Sequence, residues 1–96
     1  MGKQTIVSII KANKPELAER YGVKQVGLFG SFIRGQENPS SDIDILVSFS
    51  RDIDLFEFVH LHDYLEAKLR SKVDLVMATA LKPAIGRRIL EEVQYI

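Results

Sequence analysis

One stretch of alternating apolar residues constrains the fold of this chain more than any other feature. Residues Asp42–Phe49 read DIDILVSF, with an isoleucine, valine or phenylalanine at every second position. This period of two is typical of a β-strand that packs one face against the rest of the protein. A long helical pattern follows from Asp54, and a second strand pattern covers Lys72–Ala78 (KVDLVMA). The strand–helix–strand order predicts an α/β (α+β) fold, a small mixed β-sheet packed with helices.

The residues before this unit predict helical structure. Lys3–Arg20 has isoleucine and leucine at helical spacing but contains Pro15. Because proline is tolerated in the first turn of a helix and not in its interior, we predict two short helices here. Asn13 or Lys14 would cap the second one, and Gly22 is well placed to end it.

Three further segments complete the predicted architecture. Val23–Phe29 (VKQVGLF) is expected to form a first strand. Gly30–Ser41 is rich in turn-forming residues and leaves room for one helical turn after Ser31. A last helix is expected over Pro83–Glu92, followed by an extended segment at Val93–Ile96.

Asp54 has the features of a helix N-cap. Glu57 follows three residues later, which completes a capping box. Asp52 and Asp54 form an Asp-x-Asp pair at this loop-to-helix junction, where capping explains them. The apolar side of the helix is expected to face the sheet through Leu55, Phe58, Val59, His62, Leu65 and Leu69.

Composition excludes several classes of protein. The chain has 96 residues, enough for one domain, with 13 basic and 13 acidic residues and no cysteine. Disulfides, thiolate metal sites and cysteine nucleophiles are therefore excluded. The balanced charge argues against extended nucleic-acid binding, which needs a basic surplus. No signal-peptide or membrane-spanning pattern occurs, so we expect a cytoplasmic protein with no membrane association.

Acidic residues on the two central strands carry the strongest chemical signal. Asp42 and Asp44 are two residues apart, so a strand would project both carboxylates from the same face. Asp74 has apolar neighbours that face the other way, and it would join them if the third strand lies beside the second. Carboxylate oxygens suit Mg²⁺, and three carboxylates can hold two such ions for phosphoryl transfer.

Gly30, Ser31 and Arg34 have the properties of a phosphate-binding turn. Glycine lets the backbone approach a phosphate closely, and the N–H groups at a helix start bind anions. Ser31 adds a hydroxyl donor, and Arg34 could reach either a phosphate or the first acidic strand. No Gly-Lys-Ser/Thr follows, so this is not a Walker A motif.

Two other groups of residues are not assigned a function. His60 and His62 are two apart on a helix and point to different faces, as surface or core-edge histidines do. Lys82, Arg87 and Arg88 form a basic patch on the last helix, for which a solvated surface is favoured over a docking site.

The stretch GLFGSFIRGQENPSSDIDILV resembles the signature of the DNA polymerase β-type nucleotidyltransferase superfamily. In length the chain is similar to the minimal nucleotidyltransferases, which are the antitoxins of HEPN/minimal nucleotidyltransferase toxin–antitoxin modules. The resemblance implies that residues 1–96 form a single minimal nucleotidyltransferase domain with the nucleotidyltransferase fold. One departure is Ile33, where an alanine is common in the family; the acidic and Gly-Ser elements are intact.

The resemblance also implies roles for the site residues. Gly30 and Ser31 would contact the β- and γ-phosphates of the nucleotide. Asp42 and Asp44 would ligate both Mg²⁺ ions. Asp74 would ligate the catalytic ion and help to deprotonate the acceptor hydroxyl.

By the same resemblance the chain moves AMP from ATP onto a tyrosine of a partner HEPN toxin, a small helical RNase. The larger enzymes of the superfamily add a helical domain that presents the acceptor, and no room is expected for one after Ala78. Two alternatives stay open: a binding module that inhibits its partner by docking alone, and nucleotidyl transfer to a small molecule.

Overall fold

Helices and strands alternate along the chain around one four-stranded sheet, with strand order β3-β2-β1-β4. The computed structural model describes every residue from Met1 to Ile96. The elements in chain order are α1 (Lys3–Tyr21), β1 (Val23–Phe29), α2 (Ser31–Arg34), β2 (Ile43–Phe49), α3 (Leu55–Leu69), β3 (Val73–Met77), a 3-10 turn (Ala78–Ala80), α4 (Pro83–Glu92) and β4 (Gln94–Tyr95). No helix has the length and apolar content needed to cross a membrane.

The sheet is mixed, as the sequence predicts. β2 pairs with β1 in the antiparallel sense and with β3 in the parallel sense, while β4 adds an antiparallel edge beside β1. A parallel pair needs a crossover, and α3 provides it between β2 and β3. The N-terminal ends of β2 and β3 therefore lie at the same edge of the sheet as the C-terminal end of β1.

The prediction of two helices before β1 is wrong, because α1 runs through Pro15 without a break. Pro15 and Lys11, the residue whose carbonyl loses its helical partner, are both exposed. Asn13 does not cap a helix; its side chain donates to the Ile9 carbonyl at 2.7 Å. Gly22 ends α1 in the left-handed conformation (φ 70°), as predicted.

Helices α1 and α3 cover one face of the sheet. The residues at alternate positions of β2 point into this layer and are at most 1% exposed. The layer is formed by Ile43, Ile45 and Val47 of β2, Ile6, Ile10 and Leu17 of α1, and Leu61, Leu65 and Leu69 of α3.

The predicted buried face of α3 is only partly right. Leu65 and Leu69 are buried, but Leu55 is 72% exposed and Val59 is 45% exposed. Leu61, which the prediction omitted, is fully buried. The apolar stripe of α3 is wider than the face that contacts the sheet. Hydrophobic spacing alone therefore predicted a buried face that is rotated about the helix axis from the observed one.

Candidate active site

The three predicted carboxylates converge at one edge of the sheet. In the parallel register of β2 and β3, Asp44 lies directly opposite Asp74, and Asp42 immediately precedes β2. Burial raises the pKa of Asp44, and the negative charges of Asp74 and Asp42 add to this effect, so that the pKa is about 6. Asp44 is half-buried, whereas Asp42 and Asp74 are exposed at the rim. The structure thus brings together the three side chains that sequence alternation singled out.

Gly30 occupies the turn between β1 and α2, directly beside Asp44. Its backbone has φ 79° and ψ −149°, a combination that L-residues with a side chain rarely adopt. A Cβ at this position would overlap the Asp44 carboxylate. The glycine is therefore needed to make room for Asp44, a structural reason that the sequence did not reveal. Ser31 begins α2 and is half-buried.

Glu92 is a residue of the site that sequence reasoning missed. It ends α4, and its Oε2 accepts a hydrogen bond from the Gly30 backbone N–H at 2.5 Å. Arg34 donates from Nη1 to both Glu92 oxygens, at 3.0 and 3.1 Å. Two of the groups predicted to bind phosphate therefore hold a carboxylate of the same chain. Sequence gave no signal for this contact, because 62 positions separate Gly30 from Glu92 and an acidic residue near a helix end is ordinary.

Arg34 also influences the carboxylates. Its positive charge lowers the pKa of Asp44, opposing the effects of burial and of the neighbouring aspartates. Its Nε donates to the Gln36 side chain at 3.1 Å. The charge of Arg34 thus acts on the acidic strand, while its hydrogen bonds are made to Glu92 and Gln36.

A groove of about 200 Å³ lies between the Gly30 turn and α4. One wall comes from β1, α2 and β2, and the other comes from α4. The groove is lined by Phe29, Gly30, Arg34, Asp44, Ile85, Arg88, Ile89 and Glu92. Arg88 is exposed, as expected for the basic patch on the last helix, and it also lines this groove.

The three aspartates fit a divalent metal. Their oxygens are hard ligands of the kind that Mg²⁺ prefers. Burial and the negative charges of Asp74 and Asp42 raise the pKa of Asp44, and a bound cation would stabilise its charged form. The ligand atoms available here are therefore suitable for Mg²⁺, and Asp42, Asp44 and Asp74 are the residues that would hold it.

A second cluster of possible ligands has a structural role. His62, Asp63 and Glu66 have donor atoms within 4.8 Å of one another. However, His62 Nε2 lies 3.0 Å from the Val73 carbonyl, and Glu66 accepts the Val73 N–H at 2.9 Å. These contacts attach α3 to the start of β3 and so support the strand that carries Asp74.

The sequence and the fold are both similar to those of known nucleotidyltransferases. Residues 10–96 match the model of the nucleotidyltransferase domain family. The protein adenylyltransferase MntA of Thermococcus cleftensis is 47% identical over 93 residues, which cover 97% of this chain and 94% of that protein. A solved structure assigned to the minimal nucleotidyltransferases has a TM-score of 0.83 at 32% identity, covering 98% of this chain and 95% of its own.

A toxin–antitoxin complex shares the fold. It is a complex of a tri-AMPylated Shewanella oneidensis HEPN toxin with MNT antitoxin, and the match has a TM-score of 0.61 at 23% identity. The match covers 96% of this chain and 66% of the other.

Proposed function

The chain belongs to the nucleotidyltransferase domain family, and from this premise we propose that it is a protein adenylyltransferase that modifies a partner HEPN-domain toxin. The relative with 47% identity is a protein adenylyltransferase, and the similar complex contains a HEPN toxin that carries AMP. The proposed reaction moves AMP from ATP to a tyrosine hydroxyl of the toxin. The modified toxin would be inactive, so the chain would act as its antitoxin.

The observation that carries this proposal is the register of β2 and β3. It sets Asp44 against Asp74 at the sheet edge where the Gly30 turn and α2 begin. A nucleotide whose phosphates lie at this turn would have its α-phosphorus close to the carboxylates. Asp42 and Asp74 are exposed, so a hydroxyl on another folded protein can reach them from solvent.

The chemistry is an in-line displacement at the α-phosphorus. The acceptor oxygen forms a bond to phosphorus, pyrophosphate leaves, and the hydroxyl proton is lost. Two Mg²⁺ ions, held by Asp42, Asp44 and Asp74, would stabilise the negative charge on the attacking and leaving oxygens. Asp74, which is exposed, would help to remove the proton from the incoming hydroxyl. A rigidly held side chain of a docked partner meets the demand for close, aligned approach better than a diffusing metabolite.

The test is to mix the chain with ATP, Mg²⁺ and the HEPN-domain toxin proposed as its partner, and to measure the intact mass of that toxin. We expect a mass gain of one or more AMP units, located on a tyrosine by peptide mapping. Asp74→Asn should abolish the gain. Asp52→Asn is the matched control, because it alters an Asp-x-Asp pair outside the site and should leave transfer unchanged.

A second outcome would overturn the enzymatic function. If the Asp42→Asn variant inhibits the toxin fully while the toxin mass stays unchanged, inhibition arises from docking alone. The same conclusion follows if wild-type protein protects the toxin in the absence of ATP.

A further inference from the structure

The groove beside Asp44 contains one cation that has no partner within the protein. Arg34 lines the groove but is engaged by Glu92 at 3.0 Å. Arg88 lines the same groove, and none of the ion pairs in the chain involves it. The remaining charged groups of the groove, Asp44 and Glu92, are acidic. A polyanionic ligand in this groove therefore meets acidic groups and a single uncompensated guanidinium.

Contacts before and after Arg88 along the chain hold helix α4 in place. Near its start, Gly86 packs so closely on Leu81 that an added Cβ would lie 2.9 Å from the Leu81 Cβ. At its end, Glu92 binds the Gly30 N–H, and the following strand β4 pairs with β1. Arg88 lies one helical turn before Glu92, so the helix fixes its backbone at the groove while its exposed side chain stays free to move.

The neighbouring Arg87 faces a different part of the surface. It lines a separate depression together with Leu81, Lys82 and Gly86, on the other side of α4 from Asp44. Adjacent helix residues point about 100° apart, so the two arginines cannot serve the same ligand equally. Arg87 is therefore a matched control for Arg88, because it is also an exposed arginine of α4.

We propose that Arg88 binds the polyphosphate of the nucleotide and is a substrate-binding residue of the adenylyl-transfer site. Guanidinium groups stay charged at all relevant pH values and bind phosphate oxygens through paired N–H donors. A triphosphate that enters past Asp44 and Glu92 needs such a cation, and the charge of Arg34 is already partly compensated by its ion pair with Glu92. This inference rests on the proposed function, because it assumes that the groove takes a nucleoside triphosphate.

The experiment is isothermal calorimetry of ATP binding in Mg²⁺ with wild type, Arg88→Gln, Arg88→Lys and Arg87→Gln. Loss of one charge-assisted phosphate contact corresponds to about a tenfold or larger rise in Kd for Arg88→Gln. Arg87→Gln should stay within about twofold of wild type, and Arg88→Lys should lie between the two because it keeps the charge but loses the fork. Binding of adenosine, which has no phosphate, should be the same in all four proteins.

The outcomes separate this inference from the proposed function. Equal weakening of ATP binding by Arg88→Gln and Arg87→Gln would overturn the inference, since only general charge would then matter. An equal loss of adenosine binding would also overturn it, because Arg88 would then recognise the nucleoside.

If the Arg88→Gln variant binds ATP like wild type and still modifies the toxin, the inference fails and the proposed function stands. If wild type binds no ATP, both fail. Unchanged melting temperatures, expected for an exposed side chain with no ion pair, show that the variants are folded.

Discussion

At the scale of single residues, Asp44 couples the site to the stability of the whole protein. Burial first, and then the charges of Asp74 and Asp42, raise its pKa from 3.8 to about 6. The folded protein therefore holds a proton on Asp44 at a pH where the unfolded chain has already lost it. As the pH rises from about 4 to about 6, folding must increasingly place a charge in an unfavourable position, and the free energy of unfolding falls.

This linkage predicts that Asp44→Asn stabilises the metal-free protein at neutral pH but not at acidic pH. We expect a gain of about 1–2 kcal/mol near pH 7, after allowance for solvent screening of a half-exposed carboxylate. Near pH 4, where Asp44 is protonated in the folded state, the gain should vanish. Urea unfolding in EDTA at both pH values measures the difference, with Asp52→Asn as a control. A gain of the same size at both pH values would show that charge repulsion is not its cause.

Residues of the site differ in how far the sequence predicts them. Asp42 and Asp44 follow from strand alternation, and Asp74 needs only the further assumption that its strand is the neighbour of theirs. The room that Gly30 leaves for Asp44, and the contact of Glu92 with Gly30 and with α2, depend on how distant segments meet in space. Local patterns carry no information about such contacts, so they could be found only from the structure.

At the scale of elements, Pro15 shows how tertiary packing overrides a local penalty. Proline in a helix interior removes one hydrogen bond and costs about 3 kcal/mol relative to alanine. Ile10 before Pro15 and Leu17 after it are both buried against the rest of the protein. Burial of two such large side chains stabilises the continuous helix by about as much as the proline costs. Sequence rules describe the proline correctly but cannot weigh it against packing that has not yet been seen.

The same reasoning predicts that Pro15→Ala stabilises the protein. Alanine restores the backbone donor on an exposed face and removes the steric conflict with the preceding turn. We expect the free energy of unfolding to rise by more than about 1 kcal/mol, which is part of the helix-interior penalty because proline also restricts the unfolded chain. Thermal unfolding followed by circular dichroism measures the change, and Lys11→Ala, one turn earlier, is the control for a substitution at an exposed position of α1. A lower melting temperature for Pro15→Ala would mean that α1 depends on a bend at this position.

At the scale of the whole molecule, the site is assembled from segments that are far apart in the sequence. β1 ends in the Gly30 turn, β2 and β3 bring the carboxylates, and α4 closes the groove from the other side. The sheet order β3-β2-β1-β4 explains this arrangement. Because β1 pairs with β2, the Gly30 turn at the end of β1 lies beside the carboxylates. Because β4 pairs with the other side of β1, the preceding helix α4 lies close to the same turn. The mixed sheet was predictable from the order of elements. The position of α4 was not, because a short edge strand of two residues, Gln94–Tyr95, determines it.

Because the groove joins these segments, nucleotide binding should stabilise the entire fold and should need both the metal and the nucleotide. A ligand that binds only the folded state adds about 2.7 kcal/mol at a hundredfold excess over its Kd. In a domain of this size, that gain raises Tm by roughly 10–20 °C. We therefore expect Mg²⁺ and ATP together to raise Tm by more than the sum of their separate effects, since the metal relieves the repulsion around Asp44 and completes a site for the phosphates.

Asp42→Asn should remove the excess shift, and Asp52→Asn should keep it. A full shift with ATP and EDTA would show that the nucleotide binds without a metal, and Asp42, Asp44 and Asp74 would then need another role.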